Sequence, residues 1–500
     1  MELKMNLDFG SPKRLFLTLI HPVSLDDFFS KYWEEKPLHL PQNQRSTRVT
    51  SDGIFALSHR TLRLYVKNYH LQCGRDVDIV KYSSCGKKEN FNENGVLPLT
   101  KYDKLVTGGT ASAYFNELQR YQDDLWQLVE LLESFFGTLV GSKVVVSPTS
   151  AQKLPTPLQS SNAETFIIQT EGETHWRLYS PISPLSRNLL DDVSSEHLGE
   201  PTQEVLLRAG DILYLPRGTI YQKTSLVTNT HATYLLLYTY QQASWGDYLQ
   251  SVFPSIIKEA VDSDLDFRRG LPINFLKSTK LTKSRKFQSV LGILLLKLAK
   301  ARLERFPLPK DLMEKFMEKR MPPFRINSSC LRNTLPGGTP PDLSCKVRLK
   351  YPEHLCFLIA DRSDADDTSL TNYDLSFKAD SFHLDDSNSY QFNFLSQSLF
   401  GHDESQVVFV FSSLLNSRVH HMMPKQNKQD HTTLTLIFPI NFYSSLETLK
   451  ASSEQFIQAN SLPLEEPSDR EQLIRALWSK HLIECIPGFC AEPCKSTKID

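Results

Sequence analysis

Between Gly74 and Tyr240 the chain is written almost entirely in short strands. ETFIIQT and THWRLYS, separated by Glu171-Gly172-Glu173, read as a β-hairpin whose second strand ends in an aromatic and a proline. RDVDIV alternates, SKVVVSP is β-branched, and ILYLPRG and ATYLLLYTY are further strands. Many short strands with turn punctuation predict a sandwich or barrel. One helix, roughly Asp123 to Phe136, interrupts them.

Helices flank this region on both sides. Ser11-Pro12 supplies a capping hydroxyl followed by proline at the first helical position. Ser24-Leu25-Asp26-Asp27 opens a second helix whose Phe28, Phe29, Tyr32 and Trp33 form an apolar stripe; Pro37 ends it, and PLHLP reads as a strand. From about Ser251 to Met317 the pattern is helical, clearest in FQSVLGILLLKLAKARLERF, where Leu291, Leu294, Leu295, Leu298 and Leu303 give a wide apolar face. That face packs either within its own domain or on a second copy. TLPGGTPPDL is a linker. Beyond it, KVRLKY and SQVVFVFS are short strands, Asp361 to Asp374 reads as a polar loop, and SDREQLIRALWSKHLIEC is a helix with a capping box from Ser468 to Glu471.

Five hundred residues suggest two to four domains, and 40% hydrophobic with 23% charged residues are globular values. A net charge of −1 gives no field-based argument for nucleic acid or an anionic membrane. Eight scattered cysteines suit reduced thiols; the trio Cys485, Cys490 and Cys494 is one ligand short of a Cys₄ zinc set and reads as surface thiols. The first residues carry no apolar signal core, and LGILLLKLAK is too short and too charged to span a bilayer.

The segments FFSKYWEEKPL, GRDVDIV, LWQLVELLESFFGTLVGS, EGETHWRLYSP, GDILYLPRGTIYQ, TYQQASWGDYL and TLPGG together resemble the JmjC-type ribosomal oxygenases, nearest the Myc-induced nuclear antigen branch. The resemblance covers nearly the whole chain. It implies a mainly β plus α architecture: a double-stranded β-helix (jelly-roll, cupin) barrel with N-terminal helices over 1–250, a helical dimerisation region over 251–335, and a winged-helix-like α+β domain over 342–490. It also implies Fe(II), 2-oxoglutarate, hydroxylation of a ribosomal-protein histidine or histone lysine demethylation, and a nuclear and nucleolar location.

Such chemistry needs two imidazoles and a carboxylate on one face of the iron, leaving positions for 2-oxoglutarate and oxygen. By the resemblance, the His-x-Asp positions fall on Gln159 and Ser161, the distal histidine on Tyr221, and the lysine that pairs with the far carboxylate of 2-oxoglutarate on Thr174. No His or Asp lies between Leu154 and Thr174. An amide and a hydroxyl are weak neutral ligands, and a phenol must ionise from a pKa near ~10. Strand alternation places Thr174, Trp176 and Leu178 on one face and His175, Arg177 and Tyr179 on the other, so Arg177 does not replace the lysine. No metal, catalytic or cosubstrate residue is expected to be retained, and neither cofactor is expected here.

Other groups read more plainly. His383-Leu384-Asp385, with His402 and His420 downstream, matches His-x-Asp but lies away from the barrel motifs. His175 is an outer-face or packing residue, and His231 is one imidazole facing the barrel at most. Glu164, Glu171 and Glu173 read as solvated hairpin charges, Trp33, Trp176 and Trp245 as core anchors, and Gly210, Pro216, Arg217 and Gly218 as turn residues. Three readings follow. The first is an inactive family member that works by binding a ribosomal protein, a ribosome precursor or an active paralogue, as a homodimer and without a membrane. The second is a working oxygenase or demethylase with ligands from another segment. The third is a nucleic-acid-binding dimer using its C-terminal domain.

Overall fold

The structure is a computed structural model that describes residues 7–44, 57–83, 88–147, 155–188, 198–225, 231–240, 243–273, 275–277, 282–302, 309–326, 336, 339–361, 406–423 and 434–487. The chain divides into two compact units: Met1–Ala243 with Lys319–Ile326 and Asn416–Thr432, and Ser244–Glu318 with Asn327–Leu415 and Thr433–Asp500.

In the first unit, α1 (Pro12–Ile20) and α2 (Leu25–Lys31) begin at the two caps read from the sequence. Ser11 Oγ accepts from the Arg14 amide at 3.3 Å and Ser24 Oγ from the Asp27 amide at 3.1 Å, each satisfying an otherwise orphaned helix donor. There follow β1 (Leu38–Leu40), α3 (His59–Asn68), β2 (Val77–Tyr82), β3 (Lys88–Asn90), α4 (Leu99–Tyr102), β4 (Ser112–Asn116) and α5 (Asp123–Phe136). The barrel strands are β5 (Val140–Ser147), β6 (Gln159–Ser160), β7 (Glu164–Glu171), β8 (Glu173–Tyr179), β9 (Gln203–Arg208), β10 (Ile212–Leu215), β11 (Ile220–Ser225) and β12 (Ala232–Thr239).

These strands form an eight-stranded sheet, β1-β10-β7-β12-β5-β4-β2-β3, and a four-stranded sheet, β6-β11-β8-β9, each antiparallel throughout. The expected hairpin is corrected here. β7 pairs with β10 and β12, whereas β8 pairs with β9 and β11, so the Glu-Gly-Glu turn carries the chain from one sheet to the other. Gly172 makes that corner at φ +66°, and a Cβ there would stand 2.5 Å from the His231 carbonyl oxygen.

One face of the large sheet is covered by α1, α2 and α5. Phe16 stacks on Phe135 at 4.5 Å and meets Phe28 edge-on at 5.5 Å, and Trp33 stacks on Tyr214 at 5.9 Å. The opposite face lines the lumen between the sheets, where Val145, Ile167, Trp176, Leu178, Leu213 and Tyr234 belong to a separate apolar cluster.

The second unit contains α6 (Trp245–Ser263), α7 (Leu265–Arg268), α8 (Arg285–Arg302) and α9 (Lys310–Lys319), the last ending on the boundary. Val252, Ile256 and Ala260 of α6 pack with Leu298 of α8. Further on, β13 (Lys346–Leu349), β14 (Leu355–Asp361), β15 (Gln406–Ser412), β16 (Leu434–Pro439), α10 (Tyr443–Ala451), β17 (Ile457–Gln458), α11 (Pro467–Ser479) and β18 (Ile483–Ile486) build an α+β region with two three-stranded sheets, β17-β13-β18 and β14-β15-β16. Two local expectations are corrected. α11 starts at Pro467, with Glu466 at the cap and no side-chain capping bond, because proline at the first position takes the start that Ser468 was expected to make. Trp245 opens α6 with 83% of its surface exposed, so it anchors no core.

Candidate functional site

The lumen is built by period-two alternation along β8 and β11. Tyr221 stands opposite Leu178 and Lys223 opposite Trp176, so these four share the inward face, and Gln159 of β6 pairs with Tyr221 from the other side. β11 thus sends a phenol and, two residues on, a lysine into the barrel. Lys223 is 3% exposed. Its Nζ donates to Ser147 Oγ at 2.5 Å and lies 5.0 Å from the centre of the Tyr234 ring. No carboxylate among the described residues pairs with it, and burial brings its pKa down to about 7.

Beside it the lumen is sealed. Trp176 Nε1 donates to Thr174 Oγ1 at 2.8 Å, and Thr174 Oγ1 donates to Gln169 Oε1 at 2.7 Å. The Trp176 ring packs against Tyr221 and Tyr234, each at 5.5 Å between centroids. Thr174 is wholly buried and its hydroxyl is committed in both roles. Tyr82, Tyr114 and Tyr221 are half-buried. Tyr114 bonds with Tyr82, and burial holds the phenols of Tyr114 and Tyr234 well above the usual range, so both stay protonated.

Known proteins give this geometry a context. Residues 115–243, which run from β4 through β12, match the JmjC domain family. Ribosomal oxygenase 2 of Rattus norvegicus is 30% identical over 483 residues, 96% of this chain and 93% of its own. The chain belongs to the ribosomal oxygenase family. Ribosomal oxygenase 1 of Danio rerio is 33% identical over 289 residues, covering 57% of this chain and 51% of its own length. The mosquito (Aedes aegypti) protein named bifunctional lysine-specific demethylase and histidyl-hydroxylase NO66 is 31% identical over 263 residues, 52% of this chain and 40% of its own.

At the positions where the family resemblance puts iron ligands, the residues present do not fit ferrous ion. Gln159 and Tyr221 are brought together as a cross-strand pair. The Ser161 hydroxyl is engaged locally: it donates to the Ala163 carbonyl at 3.0 Å, lies 3.0 Å from Thr165 Oγ1 and accepts from the Ala163 amide at 3.2 Å, the pattern of a turn residue. Tyr221 rests on Trp176, and Lys223 puts an amine with no anionic partner among the described residues on the same wall. A divalent cation there would find an amide and a phenol where it needs anionic or imidazole donors. At the cosubstrate position, Thr174 has no proton left to give a carboxylate.

The remaining candidates fall as follows. His175 and Arg177 are on the outer face, both paired with Glu204, at 3.3 Å and 2.9 Å. His231 does not enter the lumen: it stacks on His59 at 3.9 Å and its Nε2 meets the Val106 carbonyl at 3.2 Å. Of the three glutamates read as solvated, Glu173 meets Arg208 at the surface, but Glu171 accepts from the His59 amide at 2.7 Å and from Thr233 Oγ1 at 2.8 Å. Glu164 is fully buried, a correction with a clear cause. Tyr214 Oη donates to it at 2.5 Å and the Arg217 amide at 3.3 Å, and burial raises its carboxyl to about 7. Arg217 also binds Glu34 at 3.2 Å, so the Pro-Arg-Gly turn is tied to the segment that follows α2, a structural role. Gly210 and Gly218 hold φ of +95° and +87° in their turns. His420 lies in a short 3-10 turn. His383, Asp385, His402, Cys490 and Cys494 lie outside the described residues.

The residue that sequence reasoning missed is Lys223. The signal was available: once Tyr221 is placed inward by the distal-ligand position, alternation puts residue 223 inward too.

Proposed function

We propose that this member of the ribosomal oxygenase family acts by binding and not by iron-dependent oxygenation. The observation that carries the reading is the lumen wall, where Tyr221 packs on Trp176 and the Lys223 amine has no counter-ion among the described residues. Gln159 and Tyr221 offer ferrous ion neither an imidazole nor a carboxylate, and Thr174, its hydroxyl committed to Gln169 and Trp176, supplies no cationic partner for 2-oxoglutarate. The binding partner in this reading is a ribosomal protein, a ribosome precursor or an active paralogue, in the nucleus or nucleolus. The test is Fe(II)- and 2-oxoglutarate-dependent succinate formation by the purified full chain. The expected rate equals that of an iron-free control; turnover above it would establish the oxygenase reading instead.

The same reading includes a homodimer. On α8, Leu291, Ile293, Leu295 and Leu296 are between 45% and 60% exposed, and on α6 Ile257 and Val261 are 44% and 38% exposed. Single surface apolar residues are ordinary, but this many on two neighbouring helices call for a cover. A second copy supplies a matching apolar face by symmetry.

A further inference from the structure

We infer that a cavity on the outer wall of the barrel takes an arginine side chain from a basic protein segment. The inference deepens the binding reading above and rests on it, because it says where such a partner is held. The cavity measures about 190 Å³ and lies where the segment after α2, the connection after β8 and the Pro216-Arg217-Gly218 turn meet. Tyr179 contributes to it from the outer face of β8, so it is separate from the lumen. A cavity of about 150 Å³ holds benzene, and drug-sized ligands need roughly 300 Å³ or more. This one has room for a single side chain.

The lining specifies a cation. Glu34 gives one carboxylate oxygen to Arg217 at 3.2 Å, and its other oxygen has no partner among the described residues. The Glu35 carboxylate is exposed and has none among them either. Arg217 does not compete for these oxygens: it is already held by Glu34 and, at 3.5 Å, by the Tyr240 carbonyl. Thr219 is 6% exposed, and its hydroxyl is unpartnered among the described residues yet remains open to the cavity. It offers an N–H an acceptor at depth, beyond the carboxylates. Pro37, Pro181 and Pro184 give apolar wall to a methylene stem, and Tyr179 gives a ring to a planar guanidinium. The walls are fixed in place. A Cβ at Gly218 would stand 2.8 Å from the Ser183 carbonyl oxygen. Glu34 and Leu185 hold left-handed φ of 58° and 50°, which non-glycine residues keep only where the surroundings impose it, as at ligand clamps. A protein that sits on RNA carries arginine and lysine to meet phosphate, the complement of this lining, whereas nucleic acid itself would meet two carboxylates.

The test is a ligand-observed NMR titration of the full chain with acetyl-Gly-Arg-Gly-amide as probe. The control is the same peptide with citrulline, which keeps arginine's planar shape without its charge. The arginine peptide is expected to bind, and the citrulline peptide to bind about tenfold or more weaker. Glu35→Gln removes a carboxylate that holds no other group, so it keeps the fold, and it is expected to weaken the arginine peptide about threefold. Thr219→Val strips the buried hydroxyl and is expected to weaken it about threefold or more. No binding of the arginine peptide, equal binding of the citrulline peptide, or unchanged affinity in Glu35→Gln would each overturn the inference. Succinate formation by a chain that binds the peptide would overturn the non-catalytic reading and leave this site standing. A chain that forms no succinate and ignores the peptide would overturn the site alone.

Discussion

At the residue scale the decisive group is Lys223. Its pKa falls from 10.5 to about 7 through burial, so between those values the unfolded chain holds a proton that the folded chain lacks. Stability therefore rises with pH across that window, and below pH 7 the folded protein bears the full cost of a buried charge. Lys223→Met removes the cost and is expected to stabilise the apo protein by about 1–4 kcal/mol at pH 7. Urea denaturation at pH 7 and at pH 10 measures it: the gain shrinks at the higher pH, and a destabilised variant would mean that the amine has a partner. His59 works at the acid end. Burial and the His231 ring lower its pKa from 6.5 to about 4, so its contribution is present above pH 6.5 and is lost as pH falls towards 4. His59→Gln is expected to flatten that acid limb by about 1 kcal/mol or less, given its partial exposure, in a pH series of melting temperatures. The residue types at Gln159, Ser161, Tyr221 and Thr174 were legible at once, and with them the expectation that iron and 2-oxoglutarate are not held there. They could not reveal that Glu164 is buried, because nothing local to a glutamate announces a tyrosine 50 positions away.

At the element scale, alternation and caps were legible and strand partners were not. β7 and β8 carry strong local signals, but a tight turn between two strands looks the same whether the strands pair or part at a corner. The corner is what lets β8 and β11 face β7 and β12 across the lumen. Trp176 fills that gap, and Trp176→Ala is expected to cost about 3–5 kcal/mol, measurable by chemical denaturation. The filling also bears on reversal. A triple variant, Gln159→His, Ser161→Asp and Tyr221→His, restores the family's ligand types. It is expected still to bind iron poorly, because Lys223 and Trp176 stay in place and residue 161 sits in a turn. Adding Lys223→Ala to that triple is expected to raise Fe(II) affinity further, read by calorimetry under anaerobic conditions. Equal affinity with and without the lysine would show that its charge does not reach the site.

At the scale of the whole molecule, the chain keeps the family's extent: identity of 30% to ribosomal oxygenase 2 runs over 96% of it. Composition placed it among globular proteins and the strand count placed its main domain in a two-sheet architecture. What fills a lumen, however, depends on which strands face each other, and only the fold supplies that. The exposed apolar residues of α8 predict self-association. Leu291→Glu with Leu295→Glu is expected to leave the barrel's melting transition in place and convert a dimer to a monomer in analytical ultracentrifugation. A wild-type chain that sediments as a monomer would remove the dimer from the account.

The most direct measurement is the iron content of the full chain after anaerobic incubation with Fe(II) and 2-oxoglutarate and removal of free metal. The lumen described here predicts iron far below one equivalent per chain, unchanged by the cosubstrate. One equivalent, retained and dependent on 2-oxoglutarate, would contradict it.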